Sequence, residues 1–152
     1  MTPSRAGADE HLRDQSETMF TGVLRELFGS DPAIVAVVFA DRDGECVDYC
    51  GSVEPYEAKV VGAYMQIVLS NMRPSLERLS VGELGELHVH CDRNEIVVRR
   101  IDEEYACIVM RREGSADDVM LAALDRAISR LRELSGLSVP RWDLDFGGIT
   151  VE

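Results

Sequence analysis

Positive charge is the scarcest property of this sequence. Its 152 residues include 16 lysines and arginines against 28 aspartates and glutamates, which gives a formal net charge of −12. Nucleic acids and anionic membranes are bound by clustered basic side chains, so the composition argues against both as partners. The sequence has no apolar run long enough to span a bilayer and no signal-peptide core in its polar first residues. We therefore expect a cytoplasmic protein.

Catalytic signatures are also missing from the sequence. It contains no P-loop, no GxGxxG or GxSxG turn and no HExxH helix, so no motif predicts a nucleophile, a cofactor or a catalytic metal. We expect that the protein is not an enzyme and that it binds no cofactor. Its four cysteines should remain reduced, because disulfides are rare in the cytoplasm.

One acidic, cysteine-containing stretch, ADRDGECVDYC at residues 40–50, needs an explanation. A calcium loop counted from Asp41 requires glycine at its sixth position and glutamate at its twelfth, but Cys46 and Ser52 stand there. Asp-Gly between two apolar segments is instead a strong signal for a β-hairpin. We interpret residues 41–44 as the turn of such a hairpin.

Two pairs of metal-binding residue types fall on predicted strands. Cys46 and Cys50 should share one strand face, because side chains alternate with a period of two, but zinc-binding pairs usually lie on turns. His88 and His90 also share a face, yet the sequence indicates no third ligand. We expect buried free thiols, half-exposed histidines near a sheet edge or a subunit contact, and no metal site.

Hydrophobic periodicity divides the chain into elements in the order α-β-β-α-β-β-β-α. The first helix is predicted to begin at Ser16, and the long central helix should end or kink before Pro74. We expect a disordered N-terminus at residues 1–14, one domain at residues 15–135 and a C-terminal tail at residues 136–152.

The central helix is unusually apolar, because residues 60–72, VVGAYMQIVLSNM, carry no charge. A helix packed on one sheet needs an apolar stripe about 100° wide, but apolar side chains here cover more than half of the circumference. The small residues Gly62 and Ala63 would permit a close approach. Large exposed apolar surfaces are rare on monomers, so we expect the helix to contact its own sheet and a protein partner. The alternative is that the tail of the chain covers it.

The initial helix, the segment AIVAVVFADRDGECVDY, the long helix, three antiparallel strands and the closing helix together resemble the Roadblock/LC7 family and its MglB-like branch. The resemblance covers residues 16–135. It implies an α+β sandwich with a five-stranded antiparallel sheet between one helix and two. It also implies a dimer that joins the central helix and the third strand of each subunit into one continuous sheet.

The resemblance implies a function as well. Members of the family regulate small Ras-like GTPases or act as dimerising scaffolds, and in the MglB branch the dimer stimulates GTP hydrolysis without inserting an arginine finger. We therefore expect a non-catalytic bacterial dimer, formed with itself or with another Roadblock protein, that regulates a Ras-like GTPase. The residues expected at its dimer or partner interface are Gly62, Met65, Gln66, Leu69, Ser70, Met72, Arg73, His88 and His90.

Three other interpretations remain open. The protein could be a scaffold that pairs with another Roadblock or signalling protein without regulating a GTPase directly. It could be a sensor of the PAS or GAF type, which would need a cavity with a few convergent polar groups. A metal-dependent enzyme is the remaining alternative.

The C-terminal tail has the periodicity of a strand. Trp142, Leu144 and Phe146 alternate with Asp143 and Asp145. Tryptophan is enriched at the energetic centres of protein interfaces. The tail either folds back on its own domain or docks onto a partner through these three apolar residues.

Overall fold

Three helices and five strands follow one another in the predicted order, in a computed structural model that describes residues 12–112, 117–137, 139, 140 and 142. The helices are α1 (Thr21–Gly29), α2 (Pro55–Leu79) and α3 (Asp117–Ser135). The strands are β1 (Ile34–Asp41), β2 (Cys46–Gly51), β3 (Glu86–His90), β4 (Asn94–Arg100) and β5 (Tyr105–Arg112).

The strands form one antiparallel sheet in the order β2-β1-β5-β4-β3. On one face, Phe28 of α1 and Leu124 of α3 belong to a core that includes Val37 of β1. On the other face, Leu69 of α2 packs in a second core with Val38. β1 is buried on both faces because its segment is apolar at nearly every position. The predicted α+β sandwich, with the sheet between one helix and two, is confirmed.

The acidic stretch after β1 is a hairpin turn, as the Asp-Gly pair predicted. Asp41 Oδ1 accepts hydrogen bonds from the main-chain N–H groups of Asp43 and Glu45, both at 3.0 Å. Gly44 has a φ of +87°, a conformation that side chains disfavour. A Cβ at this glycine would also lie 3.2 Å from the Cα of Ala63 in α2, so the turn packs closely against the central helix.

The prediction that Cys46 and Cys50 share a strand face was wrong. The pairing of β2 with β1 shifts between Phe39 and Ala40, so Val47 is an extra residue that has no partner in β1. Such a β-bulge interrupts the alternation of side chains. Cys46 therefore packs on the α2 side of the sheet and Cys50 on the opposite side.

The first helix begins later than predicted, because α1 begins at Thr21 and not at Ser16. Of the two outcomes expected at Pro74, an end of the central helix is excluded, because α2 continues through Pro74 to Leu79. Proline deprives the carbonyl four residues earlier of its helical hydrogen bond, but that carbonyl belongs to the exposed Ser70 and can be solvated.

Residues 12–18, which we call the N-terminal arm, lie against β2. Of the predicted disordered segment, residues 1–11 are outside the described residues, but Arg13 and Asp14 make specific contacts. Arg13 Nη2 is 2.6 Å from Oδ1 of the buried Asp48, and Thr18 Oγ1 donates to its Oδ2 at 2.6 Å. Thr21 donates to the same Oδ2. These contacts occupy the segment that was expected to start the first helix.

The buried carboxylate of Asp48 makes stability dependent on pH. Burial alone would raise its pKa, but hydrogen bonds from Arg13, Thr18 and Thr21 bring the pKa below the ordinary value. A lowered pKa in the folded chain stabilises the fold above the unfolded value of about 3.9, and this contribution is lost as the pH falls through the folded value. We expect Asp48→Asn to unfold at lower urea concentration at pH 7 and to show a weaker loss of stability towards pH 3. A variant with the same pH dependence as the parent would contradict this assignment.

Gly62 allows α2 to lie close to the sheet. A Cβ at this position would be 2.8 Å from Cγ1 of Val38, whereas a Cβ at Gly22 in α1 would have no neighbour within 4 Å. We expect Gly62→Ala to lower the unfolding free energy by about 1–3 kcal/mol through overpacking. Gly22→Ala, the matched control in a helix, should leave it unchanged or raise it by up to about 1 kcal/mol. Equal effects in urea denaturation would contradict a close contact at Gly62.

Candidate partner-binding surface

Four of the residues expected at an interface face the sheet of their own chain. All four are buried on the side of α2 that faces the sheet; they are Gly62, Met65, Gln66 and Leu69. They follow Ala58 at helical spacing and form the stripe that packs on β1, β2 and β5. Their predicted place in a partner surface is corrected to a place in the core.

Gln66 shows why a polar residue can occupy that stripe. Its Nε2 donates a hydrogen bond to the carbonyl oxygen of Ala40 at 3.3 Å. The contact holds α2 to the end of β1 beside the hairpin turn. Burial of a side-chain amide costs little free energy when the amide forms a hydrogen bond, whereas burial without a hydrogen bond destabilises the fold. Gln66 is therefore a structural residue and cannot border a surface platform.

The outward side of α2 carries the apolar side chains that the core does not use. Tyr64 is 63% exposed and Ile67 is 53% exposed, and Val60 between them in the helical projection is half-buried. Val61 and Val68 pack partly on the core and partly reach the surface. A solvent-facing side of a helix normally carries polar residues, so this side is a candidate for a protein contact.

β3 continues this apolar surface. Among the described residues it pairs only with β4 and is an edge of the sheet, so one side of its main chain has no strand neighbour there. Leu87 and Val89 point to the α2 side and are half-buried. We call the combined region the α2/β3 surface. Its members are Val60, Val61, Tyr64, Ile67, Val68, Leu87 and Val89.

The other predicted residues of the central helix border the α2/β3 surface. Ser70 is exposed and Met72 is half-buried. Arg73 is partly exposed, and its Nη2 lies 3.4 Å from Oε2 of Glu103 in the β4–β5 turn. Arg73, which was expected at the interface, is therefore already engaged by a carboxylate.

His88 and His90 lie on the opposite side of β3 from Leu87 and Val89, as the alternation predicted. Both are exposed at the sheet edge. His88 Nε2 is 2.7 Å from Oε2 of Glu86, and His90 Nδ1 is 3.4 Å from Oε2 of Glu95. Within the described residues, no three histidine, cysteine or acidic side chains come together as metal ligands. The histidines are thus edge residues paired with carboxylates.

The cysteines are free thiols in different environments. Cys50 and Cys107 are buried, Cys46 is partly buried and Cys91 is exposed after β3. Burial raises the pKa of Cys46 to about 12 and that of Cys107 to about 12. These two thiols stay protonated at neutral pH and are poor nucleophiles and poor metal ligands.

Trp142 lies on its own domain. It is 6% exposed, and the guanidinium carbon of Arg100 is 3.9 Å from the centroid of its ring. Arg100 itself is buried at the end of β4 and donates to the carbonyl oxygen of Leu84 at 2.6 Å. Leu144 and Phe146, the other predicted docking residues, lie outside the described residues. For Trp142 the geometry supports the fold-back interpretation.

Sequence reasoning identified the central helix but not its orientation. Tyr64 and Ile67 belong to the apolar arc seen in the sequence, yet they were not separated from Met65 and Leu69 on the inward side. A usable signal was present: the small residues Ala58 and Gly62 mark the side of a helix that approaches a sheet most closely. The sequence placed His88 and His90 of β3 near a sheet edge or a subunit contact, but it did not assign Leu87 and Val89 to the interface.

No family model matches the sequence, and no curated protein matches it significantly. A solved Roadblock/LC7 domain from Streptomyces avermitilis superposes with a TM-score of 0.69 and 16% identity, over 75% of this chain and 95% of that chain. The chain has the Roadblock/LC7 fold. MglB from Myxococcus xanthus superposes with a TM-score of 0.72 at 11% identity, covering 80% of this chain and 98% of that one. MglC from the same organism gives 0.55 at 19% identity, covering 77% and 99%.

This Roadblock/LC7 fold has no helix, within its described residues, that is both long and apolar enough to cross a membrane. The exposed apolar residues of α2 lie on the outward side of that helix.

Proposed function

We propose that this Roadblock/LC7 protein is a non-catalytic dimeric regulator of a bacterial Ras-like small GTPase. The observation that carries the proposal is the α2/β3 surface, where exposed apolar side chains adjoin an open strand edge. Pairing of two β3 edges would satisfy the outward main-chain groups of both strands and bring two α2 helices together. Burial of Tyr64 and Ile67 between the helices would supply the apolar part of the contact.

The GTPase would bind the platform formed by the paired helices. This step rests on the fold shared with MglB and on the function that the family resemblance implies. An isologous dimer presents its two helices about one two-fold axis, and an apolar centre with a polar border is usual for a protein interface. Because the net charge is −12, a partner with a basic patch is favoured by electrostatic steering.

Regulation would not depend on an inserted arginine. Arg73 lies beside the platform but is paired with Glu103, so its guanidinium is not poised to reach a nucleotide. We expect Arg73→Ala to weaken GTPase binding about two- to tenfold and to leave any stimulated hydrolysis in place. Arg78→Ala, an exposed arginine in the last turn of the same helix, is the control. Complete loss of stimulation in Arg73→Ala alone would show that this arginine acts in hydrolysis.

A direct test is nucleotide-dependent binding. Candidate Ras-like GTPases from the same genome are loaded with GDP or with a non-hydrolysable GTP analogue and titrated calorimetrically with the protein. We expect binding to differ between the two nucleotide states and to decrease when Asn71→Glu places a charge on the exposed side of α2. Undetectable binding in both states for every candidate would reject GTPase regulation.

The same surface could serve a scaffold that pairs with another Roadblock or signalling protein and regulates no GTPase directly. The open edge and apolar helix face suit such pairing without a nucleotide-bound partner. Dimerisation through the α2/β3 surface together with failure of the calorimetric test would support this alternative.

A further inference from the structure

The sheet has two edge strands, β3 and β2, and the two differ in what lies beside them. In the part of the chain that the structure describes, β3 forms one edge without a further strand beside it, while β2 forms the other and is accompanied by the N-terminal arm. Exposed strand edges invite pairing with other chains, and proteins commonly block the edges that must stay unpaired. The contacts of the arm show how the β2 edge is blocked.

Side chains of the arm donate hydrogen bonds to main-chain carbonyl oxygens of β2. Arg13 Nη1 donates to the carbonyl oxygen of Tyr49 at 2.7 Å, and Gln15 Nε2 donates to that of Val47 at 3.3 Å. Arg13 and Gln15 are two residues apart in the arm, and their partners Tyr49 and Val47 are two residues apart in β2. The arm therefore runs alongside the strand. The N–H of Tyr49 donates to Oδ1 of Asp48 at 2.7 Å. These groups are consequently unavailable to another strand.

The arm also covers an aromatic ring. Tyr49 is buried, with the guanidinium carbon of Arg13 at 4.8 Å and Nζ of Lys59 at 5.6 Å from its ring centroid. Its hydroxyl donates to Oδ1 of Asp14 at 2.9 Å, and Lys59 Nζ is 2.9 Å from Oδ2 of the same carboxylate. Removal of the arm would expose the ring together with the edge of β2.

We propose that residues 13–18 of the N-terminal arm act as a guard, by which we mean that they block pairing of another strand with the β2 edge. Association of the sheet is thereby limited to the β3 edge. The latent partner of the unguarded edge is β2 of a second copy of this chain, paired antiparallel about a two-fold axis. When two chains are joined through their β3 edges, β2 forms both outer edges of the shared sheet. Any further extension of the sheet would therefore pair β2 of one chain with β2 of another.

The anchor of the guard can be removed without leaving a buried charge. In the double variant Arg13→Ala with Asp48→Asn, the ion pair disappears as a unit, while asparagine can still accept from Thr18 and Thr21. Removing only one partner would strand the other and destabilise the fold. Arg130→Ala with Glu133→Gln, an exposed pair 3.6 Å apart on α3, is the matched control because it removes one ion pair without removing any contact of the arm.

Sedimentation velocity tests the guard in a chain whose α2/β3 surface carries Tyr64→Glu and Ile67→Glu. We expect the guard variant to self-associate at least about tenfold more tightly than this background, and the control pair to leave association unchanged. If the unguarded chain stays folded by circular dichroism and associates no more than the background, the proposal is rejected.

A second variant covers the case in which the first does not fold. The double variant Asp14→Ala with Gln15→Ala removes the contacts of these two arm residues and leaves the buried carboxylate of Asp48 unchanged. It should also strengthen self-association, but by a smaller factor than the first variant. No increase in this folded variant would also reject the guard. The readout needs no GTPase, and it remains valid if the wild-type chain is itself a monomer, so failure of the guard and failure of the proposed function are distinguishable.

Discussion

A chain that carries Tyr64→Glu and Ile67→Glu is expected to be a folded monomer under conditions in which we expect the wild type to be a dimer. Both side chains point away from the sheet and are more than half exposed, so glutamate can be solvated there in a monomer. In a dimer, the same carboxylates would be buried in the apolar contact between two helices, which costs several kcal/mol for unpaired charges. Light scattering at micromolar concentration should give one subunit mass for the variant and two for the wild type.

The matched control for this variant is Val119→Glu. Val119 is 57% exposed, close to the value for Ile67, but it lies on α3 at the opposite face of the sheet. We expect this substitution to leave the dimer intact. A wild-type chain that is already monomeric, or a control that dissociates as completely as the double variant, would show that the α2/β3 surface is not the specific contact.

Leu69→Glu should have a different and larger effect, namely loss of the folded domain. Leu69 is buried between α2 and the sheet of its own chain. The substitution removes the core packing of a leucine, worth about 2–5 kcal/mol, and adds the cost of burying a carboxyl group. Since domains of this size are stable by about 5–15 kcal/mol, a large part of the stability would be lost. Circular dichroism during urea titration measures it.

Leu69→Met is the control for that experiment. It conserves volume and polarity and should cost less than about 1.5 kcal/mol. The pair separates the two sides of α2, because Leu69→Glu is expected to unfold the chain whereas Tyr64→Glu is expected only to change its association. A folded, monomeric Leu69→Glu chain would instead place Leu69 in the dimer contact.

Local signals in the sequence were sufficient for the order of elements. The Asp-Gly turn, the uninterrupted apolar run of β1 and the 3.6-residue periodicity of the helices each depend on neighbouring residues. The alternation at His88 and His90 also predicted their side of the strand. These locally predicted features are found in the structure because local conformational preferences and tertiary packing favour the same elements.

The errors arose where contacts distant in sequence decide the outcome. The orientation of α2 depends on the close approach of Gly62 to Val38, which periodicity alone does not show. Val47 forms a bulge opposite β1, and this changed the face of Cys46. The N-terminal arm is polar and resembles a disordered segment, but the buried carboxylate of Asp48 organises it from a strand that lies 30 or more residues later.

Amide hydrogen exchange along β3, followed residue by residue by NMR, tests the account most directly. In a monomer, alternate amides of an edge strand point away from β4 and exchange rapidly, whereas pairing with a second β3 protects them. We predict that residues 86–90 are protected without alternation in the wild type, and that Tyr64→Glu with Ile67→Glu makes alternate amides exchange rapidly. Rapid exchange of alternate amides in the wild type at concentrations well above the dissociation constant would contradict the α2/β3 surface as the site of association.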